Sequence, residues 1–249
     1  MIPSELRKKA REALKDNWGK GILLGLAYFL FGLVLNSLGK IFFSSNSLSL
    51  AYSIIKLIIT VPIAFGLSIS FLNLKRHKES TAFSFVTEGF SRFGKCWNVY
   101  LWVLVKMLLP ICCFLMAIIL LVLLALIKVK LWVVITIGLI AYLACIVYAI
   151  SRGLLYSLVY YITADEPHLT GKEVVNKSEK LMKGNRGNLL LLELSFMGWI
   201  LLGFLSLGIG FIWIVPYLQV SVACFYDELI GNKETKSEEP EKIEEPVQE

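Results

Sequence analysis

Residues 188–227 read NLLLLELSFMGWILLGFLSLGIGFIWIVPYLQVSVACFYD, and apart from Glu193 these forty residues carry no charge before Asp227. One membrane crossing takes about 20 apolar residues, so the run is too long for one and suits two. The fold-back falls at residues 205–210, LSLGIG, where Gly208 and Gly210 permit a tight reversal. In hydrocarbon the backbone must satisfy its own hydrogen bonds, so both arms are predicted to be helical. The pair forms a hairpin in lipid, with crossings at residues 189–205 and 210–229.

The rest of the chain fits that solvent. Hydrophobic residues are 57% and charged residues 18% of the 249 residues, against roughly 45–50% and 25% in soluble domains. The excess is predicted to face lipid. Working outward, four more apolar runs occupy residues 21–38, 50–72, 97–126 and 131–163, the last as one long tilted helix. Pro62 and Pro110 lie inside two of them as kinks. Trp97, Tyr100 and Trp102 mark a membrane boundary. Glu5, Glu12 and Asp16 in the charged head, with no small-residue cleavage site after it, argue against a removed signal peptide.

Between the runs lie polar segments with helical spacing. Residues 4–18 place Leu6, Ala10, Ala13, Leu14 and Asn17 on one face, with Arg7, Lys8, Arg11, Glu12 and Lys15 around the rest and Ser4 as N-cap. Residues 80–95 align Phe83, Val86, Phe90 and Phe93, and residues 165–187 align Val174, Val175, Ser178, Leu181 and Met182, ending at a glycine stop at Gly184. These helices are predicted to lie in the membrane interface, attracted to anionic lipid. From residue 231 to 249 the chain is polar and finally acidic, too poor in apolar residues to fold.

The predicted architecture is all-α and integral to the membrane. It has an amphipathic helix over residues 1–20, a six-helix domain over residues 21–230 and a disordered tail. An internal repeat runs through it: three times an amphipathic helix leads into a hairpin. Val61-Pro62 and Phe71 match Val215-Pro216 and Phe225 in spacing. Nineteen lysines and arginines fall on the side of the termini, the second loop and the fourth loop, whereas Lys40, Lys128 and Lys130 fall on the other. The positive-inside rule then places both termini in the cytoplasm of a plasma-membrane protein. Residues 233–249 hold seven acids and three bases, so the remainder is more basic than the net charge of +6 indicates. Anionic lipid headgroups are the implied partner, with a second membrane protein possible. Nucleic acid is a poor fit, because the bases are scattered over loops and match no reader fold.

The opening SELRKKAREALKDNWG, the SEKLMKGN element and above all LGIGFIWIVPYLQVSVACFYDEL resemble a bacterial integral membrane family known as domain of unknown function 975. The resemblance covers residues 4–229 and is most specific in Gly208, Gly210, Trp213, Pro216, Tyr217, Phe225 and Tyr226. It implies a multi-pass membrane protein and supplies no activity and no cofactor.

Chemistry has few footholds. Four ionisable residues lie within crossings, each costly at a helix centre. Lys56 and Lys106 are close enough to an interface to snorkel; Arg152 and Glu193 sit in the same half and are candidates to pair. No catalytic, cofactor-binding or metal-binding residue is predicted: His77 and His168 lie in loops, and no Asp falls within a crossing. The cysteines (Cys96, Cys112, Cys113, Cys145, Cys224) lie within or at the inner ends of apolar segments, where no disulfide framework is expected. Two functions remain open. One is a non-enzymatic envelope or scaffold protein that organises lipid; the other is a transporter or channel with a site at Pro62, Pro110, Pro216, Tyr217 and Gln219. The charge asymmetry is tested by topology mapping. A reporter fused after Glu249 is expected to be active only inside the cell, and cysteines placed in residues 172–186 to resist an impermeant reagent; labelling from outside overturns the topology.

Overall fold

The computed structural model describes residues 2–42, 46–76, 81–126 and 130–238. Lys78, Lys128, His77 and residues 239–249 of the expected tail lie outside the described residues. Among those described the chain is helical throughout, with no strand: α1 (Pro3–Leu14), α2 (Trp18–Phe42), α3 (Asn46–Lys75), α4 (Ser84–Ser91), α5 (Phe93–Leu126), α6 (Leu131–Leu155), α7 (Val159–Asp165), α8 (Gly171–Met182), α9 (Arg186–Leu194), α10 (Met197–Leu205) and α11 (Phe211–Glu238).

Five stretches are long and apolar enough to cross a membrane: Trp18–Gly39, Leu48–Lys75, Phe93–Ile119, Trp132–Asp165 and Arg186–Leu205. The expected sixth, residues 210–229, is not among them. The reason is composition: α11 interleaves Pro216, Tyr217 and Gln219 with its apolar residues and carries Asp227 and Glu228 within the same span. Those groups are tolerable because α11 is covered by protein. Val220, Ala223, Phe225 and Tyr226 are fully buried, and the helix lies against α1, α2 and α3.

Local details differ from expectation in ways that have causes. Helix α1 starts at Pro3 with Ile2 as N-cap and no side-chain cap, because proline supplies a ready-made first turn; Ser4 lies inside. The run expected as one helix from residue 131 to 163 breaks at residues 156–158 into α6 and α7, and the next crossing breaks between α9 and α10 at Ser195-Phe196. Ser195 Oγ donates to the Leu192 carbonyl (2.6 Å), and a serine bonding back to its own turn bends a helix. Helix α11 passes residue 231 and runs to Glu238. The reversal between α10 and α11 is where the glycines placed it: Gly208 adopts φ +91° and its N–H donates to the Gly203 carbonyl at 2.9 Å.

Two of the three short helices use their expected apolar faces on protein. Leu6, Ala10 and Leu14 of α1 are buried against the bundle, as are Val174, Val175, Leu181 and Met182 of α8. Helix α8 opens with a capping box, Thr170 bonding the Glu173 N–H and Glu173 bonding back. In α4 the buried residues are Phe85 and Gly89, whereas Phe83, Phe90 and Phe93 of the expected face are exposed. Glycine decides that choice, since only it lets α4 lie directly on α3. A Cβ added at Gly89 would stand 2.1 Å from the Pro62 carbonyl oxygen, and one at Gly66 would stand 1.9 Å from that of Phe85.

Each short helix therefore packs beyond its own pair of long helices: α4 on α3, α8 on α5 and α7, and α1 on α11. The last of these closes the three-part chain into a ring. The buried cluster drawn from all three parts, including Leu14, Phe71, Phe85, Ile162, Leu181 and Phe225, lies at the end of the bundle where the short helices sit. Away from it the long helices touch little but their neighbours in the chain. Between residues 132 and 150 no side chain is buried, and Phe29, Leu33, Leu108, Leu115 and Phe204 are all exposed.

Gly89→Ala is expected to lower the stability of the purified protein in detergent by about 1–3 kcal/mol, the range for forced overpacking. Gly94→Ala, with nothing within 4 Å of the added methyl, is the matched control and should leave the melting temperature unchanged.

Candidate functional site

Charged residues are costly in a chain this apolar, so where they meet is informative. At the end of α3, Arg76 extends a guanidinium fork to the end of α7. Nη1 donates to Asp165 Oδ1 at 2.6 Å and Nη2 to Asp165 Oδ2 at 2.8 Å. Nη2 also donates to Asp227 Oδ1 on α11 at 2.6 Å. Lys75 pairs with the other Asp227 oxygen. The Tyr226 hydroxyl donates to Asp165 Oδ2 at 3.0 Å, and its ring stacks on Tyr161 of α7 with centroids 5.3 Å apart. One arginine thus clasps three helices from the three parts of the chain. Its side chain is 26% exposed and those of Asp165 and Asp227 are 25% and 20% exposed, so solvent screening is incomplete and the bidentate geometry counts. The hydrogen bonds to Asp165, foremost, push the guanidinium pKa up further, against the opposing effect of burial.

Beside the clasp opens a cavity of about 460 Å³ lined by Lys9, Glu12, Lys75, Cys224, Asp227 and Glu228. Lys9 Nζ sits 2.5 Å from Glu228 Oε1, and that hydrogen bond holds the Lys9 pKa above its ordinary value. Bases and acids alternate around this space, and the two aspartates of the clasp are committed to Arg76 and Lys75. The lining is suited to locking α1 onto α11.

A second cluster joins α5, α6 and α8. Lys106 Nζ lies 3.2 Å from Glu179 Oε1. The Arg152 guanidinium donates to the Tyr156 hydroxyl at 2.7 Å, and that hydroxyl donates on to Glu179 Oε1 at 2.9 Å. Burial pulls the Glu179 pKa up, but the Tyr156 and Lys106 hydrogen bonds and the Lys106 charge outweigh it and hold the carboxyl below its ordinary range. A third polar contact lies between α2 and α3, where Lys56 Nζ donates to Asn36 Oδ1 at 2.6 Å.

The residues singled out in the sequence are dispersed over this frame. Arg152 pairs with Glu179, not with Glu193. Glu193 is exposed on α9 and makes no ion pair among the described residues. The acid that reaches Arg152 comes from α8, which packs on α6 and α5 and brings a loop-side carboxylate to the half-buried arginine. Pro62 is buried under α4. Pro216 is buried where Gly21 of α2 approaches; a Cβ at Gly21 would stand 3.3 Å from the proline Cβ. Tyr217 donates from its hydroxyl to the Arg7 carbonyl at 3.2 Å and packs edge-on against Phe196 with centroids 4.9 Å apart. Gln219 is half-buried and makes no hydrogen bond among the described residues. Gly208 and Gly210 form the α10–α11 turn, away from the clasp. Sequence reasoning passed over Arg76, Asp165 and Asp227. The available signal was an acid directly following an apolar run at Asp165 and Asp227, on a side otherwise rich in bases.

A family model described as protein of unknown function (DUF975) matches residues 1–233. The chain belongs to that family. The match takes in all three parts of the ring, so the clasp of this DUF975 protein lies wholly within the family region. No curated protein and no solved structure matches the chain.

Replacing Arg76 by Gln leaves Asp165 and Asp227 without their shared guanidinium, and breaking a partly buried pair of this kind costs about 3 kcal/mol. Chemical denaturation in detergent should show that loss, with Arg76→Lys intermediate because one ammonium cannot reproduce the fork. Wild-type stability in Arg76→Gln refutes the clasp.

Proposed function

We propose that this DUF975 protein is a non-enzymatic, multi-pass plasma-membrane protein that organises the envelope as a scaffold and grips anionic lipid through its basic face. In this reading six helices cross as three hairpins, with α11 as the sixth, and both termini are cytoplasmic. The observation that carries it is the position of the core. Packing is concentrated at the end where Lys8, Arg11, Lys15 and Lys20 are exposed, while the remaining lengths present bare apolar surface of the kind lipid covers. Because the apolar faces of α1 and α8 are buried in the bundle, attraction to lipid rests on the charges of their outer faces. Each contributes about 1 kcal/mol near an anionic surface.

A transporter with a midplane site at the prolines is the weaker reading. Pro62 and Pro216 are packed against neighbouring backbone and side chains, and the larger cavity lies beside Cys224 and Glu228, not beside Gln219.

The full chain in nanodiscs of mixed phosphatidylglycerol and phosphatidylcholine tests the proposal. Boundary lipid is expected to be enriched in phosphatidylglycerol, with enrichment falling as salt rises and falling again when Lys8, Arg11, Lys15 and Lys20 are changed to Gln. Equal recovery of the two lipids overturns the lipid-gripping role. Labelling of Gln219→Cys by an aqueous thiol reagent would favour transport instead.

A further inference from the structure

Among the described residues three cations lie well inside the candidate spans, and two of them have a carboxylate partner. Lys106 and Arg152 share Glu179. The third, Lys56, has an amide for a partner, Asn36 Oδ1 at 2.6 Å, and no carboxylate within ion-pair distance among the described residues. Cations inside a membrane are ordinarily paired, and an exception points to a ligand. The depth is set by helix geometry. The apolar span of α2 is Trp18–Gly39, about 30 Å at 1.5 Å per residue and so one hydrocarbon thickness. Asn36 lies about 5 Å inside its Gly39 end by the same rise. Lys56 lies about 12 Å inside the Leu48 start of the α3 span and reaches out to Asn36, so the ammonium sits just below the headgroup level of the leaflet far from the Arg76 clasp.

A cavity of about 150 Å³ adjoins it, lined by Tyr28, Phe31, Gly32, Asn36, Lys56 and Thr60 among others. That is too small for a whole ligand, since ligand pockets run to about 300 Å³ or more, but it admits a compact anionic group. One donor points to such a group. Lys56 has ammonium protons left after Asn36 is served. Tyr28, eight residues before Asn36 and so about 12 Å nearer the clasp, holds its ring edge-on to Phe85 at 5.9 Å and is out of reach of the same group. The Thr60 hydroxyl is already used on the Lys56 carbonyl. Around the cavity the surface is lipid-facing: Leu33, Val34, Ile55 and Leu57 are exposed, so acyl chains can lie on either side.

We propose that the α2–α3 cleft at Lys56 is a binding site for one anionic phospholipid, its phosphodiester on Lys56 and its chains along the two helices. Charge complementarity selects the occupant. A phosphodiester keeps its charge at this depth, whereas a fatty-acid carboxyl in apolar surroundings takes up a proton and loses the attraction. The site rests on these helices being in the bilayer and is independent of the scaffold role, which concerns the opposite, basic face.

The test is native mass spectrometry of the full chain, released from neutral detergent after exposure to equal phosphatidylglycerol, phosphatidylcholine and palmitate. The wild type should retain one phosphatidylglycerol in preference to the other two. Lys56→Gln should reduce that retention about tenfold, the loss expected for a hydrogen bond to a charged group, while Lys56→Arg keeps it. Changing Lys8 and Lys15 to Gln should leave this one lipid in place, which separates the site from the basic face. Gly32→Leu, which fills the cavity from a lining position with nothing within 4 Å of an added Cβ, should weaken retention even if Lys56→Gln fails to fold. Undiminished retention in both Lys56→Gln and Gly32→Leu overturns the proposal, as does equal retention of phosphatidylcholine or palmitate by the wild type.

Discussion

The ends of α3, α7 and α11 meet at one guanidinium, and the rest of the architecture depends on that meeting. Beside the Lys75–Asp227 pair and the Tyr226 hydroxyl on Asp165, these three helices from distant parts of the chain meet through apolar contacts, which are non-directional and set neither register nor rotation. A planar fork bonded to two carboxylates fixes both. Tyr226 extends the constraint inward, its hydroxyl on Asp165 and its ring on Tyr161. The clasp sits at the polar rim of the buried cluster, where water moderates the desolvation cost that makes fully buried ion pairs a poor source of stability.

Around that point the chain is built three times over from a short helix and long ones. The short helices are linkers between parts, each laid on long helices of another part, and glycine sets how close they come. At Gly66 and Gly89 the backbones of α3 and α4 approach until no Cβ fits between them. At Gly171 an added Cβ would lie 2.0 Å from Asn98 Oδ1, so α8 enters against α5 in the same way. The positions without side chains fix the spacing of the parts, and the arginine fixes their angle.

Much of this was legible in the residues. The apolar runs, the glycine reversal at Gly208, the stop at Gly184 and the buried faces of α1 and α8 follow from spacing and local turn chemistry, which a single chain displays. What was hidden depends on partners far away in sequence. Arg76 is 89 residues from Asp165 and 151 from Asp227, and no period connects them. The pairing of Arg152 was misjudged because Glu179 belongs to a polar helix that reads as solvated, until α8 is seen to lie on α6. The phenylalanines of α4 misled for a related reason: their spacing is helical, but backbone contact through Gly89 outranks the aromatic face. Helix α11 falls below the hydropathy of the candidate spans because it is central, where a glutamine or tyrosine meets protein.

The uneven distribution of contacts divides the molecule by cooperativity. The end that holds the buried cluster opens only if all three parts separate together. The outlying lengths of α5 and α6, which rest on each other and on lipid, can open one at a time. Amide protons of Phe71, Ile162 and Phe225 therefore report global unfolding, and those of the outlying lengths report local fraying. The bilayer serves as tertiary structure for the lengths of the long helices that the protein leaves uncovered.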